Sequence, residues 1–164
     1  MKWIKTLVSY ALIFAIIYTV VNYWRAPVSA PLSSQVSTLE TSTTLGISPA
    51  VLQQSHQTPV LVYFWATWCG VCSITSGNIQ AISQTYPVQT IAIQSGTADE
   101  VHQFMKNHGY DFAVVHDMDG RIFDAWQGQV APSFVIIKDG QVVQRFTGIA
   151  PLWSLHARLW WATI

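Results

Sequence analysis

The chain has 164 residues, eight basic and eight acidic side chains, and a formal charge of zero. That length allows one domain with a real core, and the lack of any basic patch argues against nucleic acid as a partner. The balance is uneven. Lys2, Lys5 and Arg25 precede every acid, whereas the chain from Glu40 onward holds all eight acids against five bases and is mildly acidic.

Leu7 to Tyr23 is a run of 17 residues without a charge, flanked by Trp3 and Trp24. Helical, the stretch to Trp24 is just long enough to cross an apolar layer of about 30 Å, and tryptophans at both ends suit the two lipid–water interfaces. Residues 1–25 therefore read as an N-terminal membrane anchor, a single transmembrane helix with residues 3–24 in the membrane. Two lysines before the run put its N-terminus in the cytoplasm and the rest of the chain outside. The rival is a cleaved signal peptide, since Val28-Ser29-Ala30 has the small residues of a cleavage site; the bulky, charged Tyr23-Trp24-Arg25 before it argues for an uncleaved anchor. Either route leads to an oxidising compartment.

Residues 26–46 are rich in Ser, Thr and Pro and read as a linker, with a short strand expected near Val36 to Leu39. Residues 47–164 form the domain. Ser48-Pro49 caps and starts a short helix over Pro49 to Ser55. The apolar run from Pro59 to Ala66 has the pattern of a central strand covered on both faces. A helix is expected from Gly70 to about Tyr86, a strand from Val88 to Gln94, and a helix from Thr97 to Asn107 with Thr97 and Glu100 as a capping pair and Gly109 as its stop. Phe112 to Val115 reads as a short strand, Asp119-Gly120 as a turn, and Arg121 to Trp126 as a short helix. Ser133 to Ile137 and Gln141 to Phe146 flank Asp139-Gly140, a hairpin signal. Ala150 to Thr163 closes the pattern as a helix with Leu152, Leu155, Leu159 and Trp160 on an apolar face. This order predicts an α/β fold, a mixed central sheet flanked by helices.

Cys69 and Cys72 are the only cysteines, spaced Cys-x-x-Cys at the junction of the central strand and a helix. Unpaired N–H groups and the helix dipole favour a thiolate at that end. Cys69 is thus expected as the exposed nucleophile and Cys72, nearly a turn further in, as the resolving thiol. Gly70 leaves the approach open, and Trp68 is expected beside it as an apolar wall. A structural disulfide closing so small a loop would stabilise little. A zinc site fails on spacing, because 29 residues separate Cys72 from His102, and His102 and His108 fall on different helix faces. Pro132, opening the hairpin's first strand, is a second signal, since proline is tolerated there.

Phe64-Trp65-Ala66-Thr67-Trp68-Cys69-Gly70-Val71-Cys72, with Ala131-Pro132 before the hairpin, resembles the thioredoxin superfamily over residues 46–164. The extra helix and strand between Thr97 and Val115 are similar to the membrane-anchored, TlpA-like branch. Thr67 to Cys72, Ile93-Gln94-Ser95-Gly96 and the Trp-rich C-terminal helix are similar to the suppressor of copper sensitivity protein D group. The resemblance implies a thioredoxin-like fold and Cys69 and Cys72 as the redox pair. It also implies Pro132 as a cis-proline and Trp68, Gly70, Val71 and Ala131 as substrate contacts, with the Ala131 backbone receiving an extended segment. It implies no cofactor beyond a Cys69–Cys72 disulfide and no metal. Its partners would be protein thiols and disulfides and an integral-membrane electron donor, with the domain in the periplasm at a bacterial inner membrane. Two positions depart from thioredoxin: Tyr63 replaces a buried aspartate, and Val71 a proline. The proton acceptor for Cys72 is left open between a water and Tyr63.

The favoured reading is a reductase. The alternatives are a disulfide oxidase and a copper-binding or copper-tolerance module using soft thiolates. His56, His116 and His156 read as packing or surface residues, Trp126, Trp153, Trp160 and Trp161 as core, and Asp117 and Asp119 as turn formers.

Overall fold

A computed structural model describes residues 2–25 and 45–164; within the first segment, side chains are described at residues 3 and 6–21. The cleavage site, the linker up to residue 44 and the strand expected near Val36 lie outside the described residues. Helix α1 is Lys2–Arg25. Among the described residues no helix is long and apolar enough to cross a membrane, so the expected span rests on the sequence alone.

The domain follows as α2 (Pro49–Ser55), β1 (Val60–Trp65), α3 (Gly70–Ile82), β2 (Val88–Ile93), α4 (Ala98–His108), β3 (Val114–Asp117), α5 (Arg121–Ala125), β4 (Ser133–Lys138), β5 (Gln141–Thr147) and α6 (Leu152–Trp161). The sheet order is β3-β2-β1-β4-β5. β1, β2 and β3 run parallel, while β4 is antiparallel to both β1 and β5. Every residue of β1 is buried, as its unbroken apolar sequence requires of a central strand. Its alternation splits the core. Leu61, Tyr63 and Trp65 meet Ile79, Ile82, Val101, Met105, Leu155 and Leu159 from α3, α4 and α6. Val62 and Phe64 meet Leu52 and Trp126 on the opposite side.

The end signals act as the sequence suggests. Ser48 Oγ accepts from Val51 N–H. Thr97 and Glu100 form the capping box, and Gly109 closes α4 in the left-handed conformation at φ 70°. Asp139 and Gly140 both take positive φ in the β4–β5 turn. Three expectations shift. α3 ends at Ile82, four residues before Tyr86, with Ser83 as its C-cap, and Tyr86, which precedes Pro87, is itself disfavoured in the helical region. β3 is Val114–Asp117, displaced by two residues from the expected strand, and Phe112 packs into the core ahead of it. Most consequentially, only Trp126 of the four tryptophans expected in the core is buried. Trp153, Trp160 and Trp161 lie on the outer side of α6, opposite Leu155 and Leu159.

Candidate active site

The site forms where β1 stops. Cys69 N–H donates to the Ala66 carbonyl, turning the chain within three residues. That turn is tied to the end of β2: Thr67 N–H donates to Ser95 Oγ at 3.0 Å, and Ser95 Oγ–H donates to the Ile93 carbonyl. Cys69 is the N-cap of α3. Its Sγ accepts the Cys72 N–H at 3.2 Å, the place a serine or aspartate oxygen takes in an ordinary cap. A thiolate there would gain a charge-assisted hydrogen bond and the positive end of the helix dipole.

Cys69 and Cys72 are joined by a disulfide, with their Cα atoms 5.2 Å apart. Cys69 is less open than expected, 8 % exposed against 1 % for Cys72, and is the more accessible residue of the pair. At Gly70 a Cβ would meet nothing within 4 Å, so the approach to Cys69 is clear. Trp68, Val71 and Ile74 are exposed around it. Trp68 is fixed, because its indole N–H donates to the Gln94 carbonyl at 3.0 Å.

β4 delivers the second half of the site. Phe64 pairs with Ser133 across the sheet, which brings Pro132 level with the end of β1. The Ala131–Pro132 peptide is cis. The Ala131 carbonyl oxygen lies 3.6 Å from Cys69 Sγ, and Gly148 N–H donates to the Pro132 carbonyl, pinning the turn to β5. The residues singled out around the cysteines thus converge at one end of the central strands β1 and β4.

Behind the disulfide sits Tyr63, fully buried and stacked on Phe134 at 5.1 Å. Its hydroxyl donates to the Cys72 carbonyl at 3.3 Å and pairs with Ser76 Oγ at 3.0 Å. Burial pushes the phenol far above its ordinary range, outweighing the Ser76 hydrogen bond. Tyr63 is therefore neutral at any physiological pH. It is a hydrogen-bond donor holding the first turns of α3, a state that disfavours it as the acceptor of the Cys72 proton. Asp117 is the one buried carboxylate among the described residues, and its two oxygens accept from Ile122 and Phe123 N–H at the start of α5.

Ser76 was not singled out from sequence, and Gln94 entered only within the Ile93-Gln94-Ser95-Gly96 string, with no role of its own. Ser76 had a signal: it lies four residues after Cys72, one turn along α3 on a face that is otherwise core. Gln94 had none, because it acts through its backbone carbonyl, in a residue with φ 43°. The histidines stand apart from the site. His102 packs edge-on to His116 at 5.2 Å, and His56 faces Asp139.

The comparisons agree with this geometry. The Redoxin family pattern matches residues 29–154. A thioredoxin-like protein of Haemophilus influenzae is 29 % identical over 98 % of the chain and 95 % of its own length. The thiol–disulfide oxidoreductase ResA of Bacillus subtilis is 32 % identical over 59 % of the chain, which spans little more than half of that protein, 57 %. Among solved structures, StoA of Bacillus subtilis superposes with a TM-score of 0.56 at 17 % identity, covering 61 % of this chain and 81 % of its own. A secreted disulfide oxidoreductase of Mycobacterium tuberculosis gives 0.57 at 20 % identity, covering 71 % and 90 %. The chain belongs to the redoxin family and is a thioredoxin-like thiol–disulfide oxidoreductase.

Proposed function

We propose that the domain is held at the periplasmic face of a bacterial inner membrane by α1, and that it reduces disulfides of partner proteins. The observation that carries this reading is Cys69 at the N-cap of α3, its sulfur between the Cys72 N–H and the Ala131 carbonyl beside the cis Ala131–Pro132 peptide. The Cys69 thiolate attacks one sulfur of the substrate disulfide, forming a mixed disulfide and releasing a substrate thiolate. Cys72 then attacks Cys69 Sγ, breaks the mixed disulfide and expels the second substrate sulfur. Two electrons pass from the Cys69–Cys72 dithiol to the substrate, and the Cys72 proton ends on a released substrate thiol. Cys69 is the nucleophile, Cys72 the resolving thiol, and Pro132 shields the pair. Trp68, Gly70, Val71 and the Ala131 backbone receive an extended substrate segment.

The tether rests on the uncharged run from Leu7 to Tyr23 with lysines before it. The likeness to the Haemophilus protein extends across this segment. An integral-membrane electron donor would restore the dithiol. The kinship with the suppressor of copper sensitivity protein D group belongs to this reading and rests on Thr67 to Cys72, Ile93 to Gly96 and the tryptophans of α6.

The reduction potential tests the direction. A Cys69–Cys72 couple near about −270 mV fits a reductant, and one above about −150 mV would make the protein an oxidant. Trapping with Cys72→Ser in cells should capture partner proteins in mixed disulfides. A Cys69→Ala chain that kept full exchange activity would refute the chemistry.

A further inference from the structure

Helix α6 has two apolar sides. Leu155 and Leu159 are fully buried against α3 and β1. Trp153, Ala157, Trp160 and Trp161 recur at intervals of four, three and one along the outer side, a single stripe at helical spacing. The three indoles are 75 %, 58 % and 66 % exposed. So large an apolar face on an ordinary soluble surface calls for a partner.

Charge says which one. Residues 140–164 contain Arg145 and Arg158 and no acid, whereas residues 40–139 contain all eight acids against three bases. The one basic, acid-free segment of an acidic domain is the one that carries the tryptophans. Indoles prefer the headgroup level of a bilayer, and arginines beside them attract anionic lipid. α1 reaches the same side, where Tyr18 and Thr19 line a groove with Arg145, Phe146, Trp153 and Arg158.

We infer that the outer face of α6 is a membrane-docking surface: Trp153, Trp160 and Trp161 enter the headgroup region of an anionic bilayer and seat the domain on the membrane that holds α1. This rests on the proposed tether. The 19 residues between α1 and residue 45 can span at most about 65 Å, however they run. Such a tether holds the face at an effective concentration in the millimolar range, where weak interfacial affinity suffices. Docking would give the Cys69 edge a fixed height and orientation over the membrane, where an electron donor embedded in the bilayer could meet it.

The test uses the full chain in vesicles of phosphatidylcholine and phosphatidylglycerol, with and without bromine on the acyl chains. Five of the eight tryptophans (Trp3, Trp24, Trp153, Trp160 and Trp161) would lie at the lipid. Trp153→Ser/Trp160→Ser/Trp161→Ser should therefore keep only about two-fifths of the bromine quenching, with disulfide exchange on a soluble substrate unchanged. The same subtraction with phenylalanine at the three positions preserves packing and reads the location of the indoles without disturbing the fold. A chain that floats with the vesicles but loses no quenching in either variant overturns the docking and leaves the tether standing. A chain that fails to float overturns the tether and the docking with it, and leaves α1 as the cover of this face. Self-association through α6 with unchanged quenching makes a second copy the occupant and also overturns the docking.

Discussion

Trp65, Trp68 and Trp126 belong to a different region of the molecule from Trp153, Trp160 and Trp161. The first three each give their indole N–H to a partner inside the protein: Trp65 to Thr90 Oγ1, Trp68 to the Gln94 carbonyl and Trp126 to the Leu45 carbonyl. They brace the sheet and the turn that carries Cys69. The second three extend outward from α6, each more than half exposed. A buried indole must satisfy its donor, because an unpaired buried N–H costs about 1–3 kcal/mol; an outward one has water or headgroups to use. The two groups should therefore fail in different assays.

The largest effect is expected at Trp126, which is fully buried and edge-on to Phe64 at 5.6 Å. Trp126→Ala should cost about 3–5 kcal/mol of unfolding free energy, read as a lowered urea midpoint. Trp126→Phe should recover much of the packing yet stay destabilised, since the Leu45 carbonyl loses its donor. If alanine there cost less than about 1 kcal/mol, the division between bracing and outward tryptophans would collapse.

Tyr63 extends the inner group. Tyr63→Phe keeps the stacking on Phe134 but removes the donor to the Cys72 carbonyl and the pairing with Ser76. A loss of about 1–3 kcal/mol is expected. The pH dependence of disulfide exchange should keep its midpoint, because the phenol, held far above its ordinary range by burial, stays protonated throughout. A shifted midpoint in Tyr63→Phe would restore Tyr63 as a proton acceptor.

How far the sequence could be read follows the same division. The chemistry was legible because it is local: Cys69 and Cys72 sit on one turn, and an apolar run announces the strand before them. The ends of α4 and the β4–β5 turn were legible because Thr97, Glu100, Gly109, Asp139 and Gly140 impose backbone geometry within a few residues. What escaped depends on contacts distant in sequence. The Gln94 carbonyl holds Trp68 across 26 positions. The exposure of Trp160 could not be read from α6 alone, because both sides of that helix are apolar and only the neighbours decide which is buried. The displacement of β3 has the same origin, since its register is set by pairing with β2.

Trp68 lies between the two groups, anchored by its N–H but 65 % exposed. Trp68→Ala should cost stability about 0.5–1 kcal/mol at most, while lowering kcat/KM on a protein substrate about tenfold, as for loss of an anchoring aromatic at a contact surface. Exchange with a small dithiol should hardly change. That split separates a substrate wall from a brace.

The smallest effect is expected on α6. Trp160→Ser removes an outward side chain and leaves Leu155 and Leu159 in place, so the urea midpoint in solution should move by no more than about 0.5 kcal/mol equivalent. The exchange rate on a soluble substrate should not move at all, because Trp160 lies on the exposed side of α6, opposite Leu155 and Leu159. A loss comparable to that of Trp126→Ala would mean that the indole packs against something the domain holds. The tryptophans of α6 would then join the inner group, and an explanation of their exposure by lipid would no longer be needed. A silent substitution has the opposite meaning: a large apolar side chain that contributes nothing to folding stands exposed on α6 at a cost in solubility, and binding is then the function left to explain it.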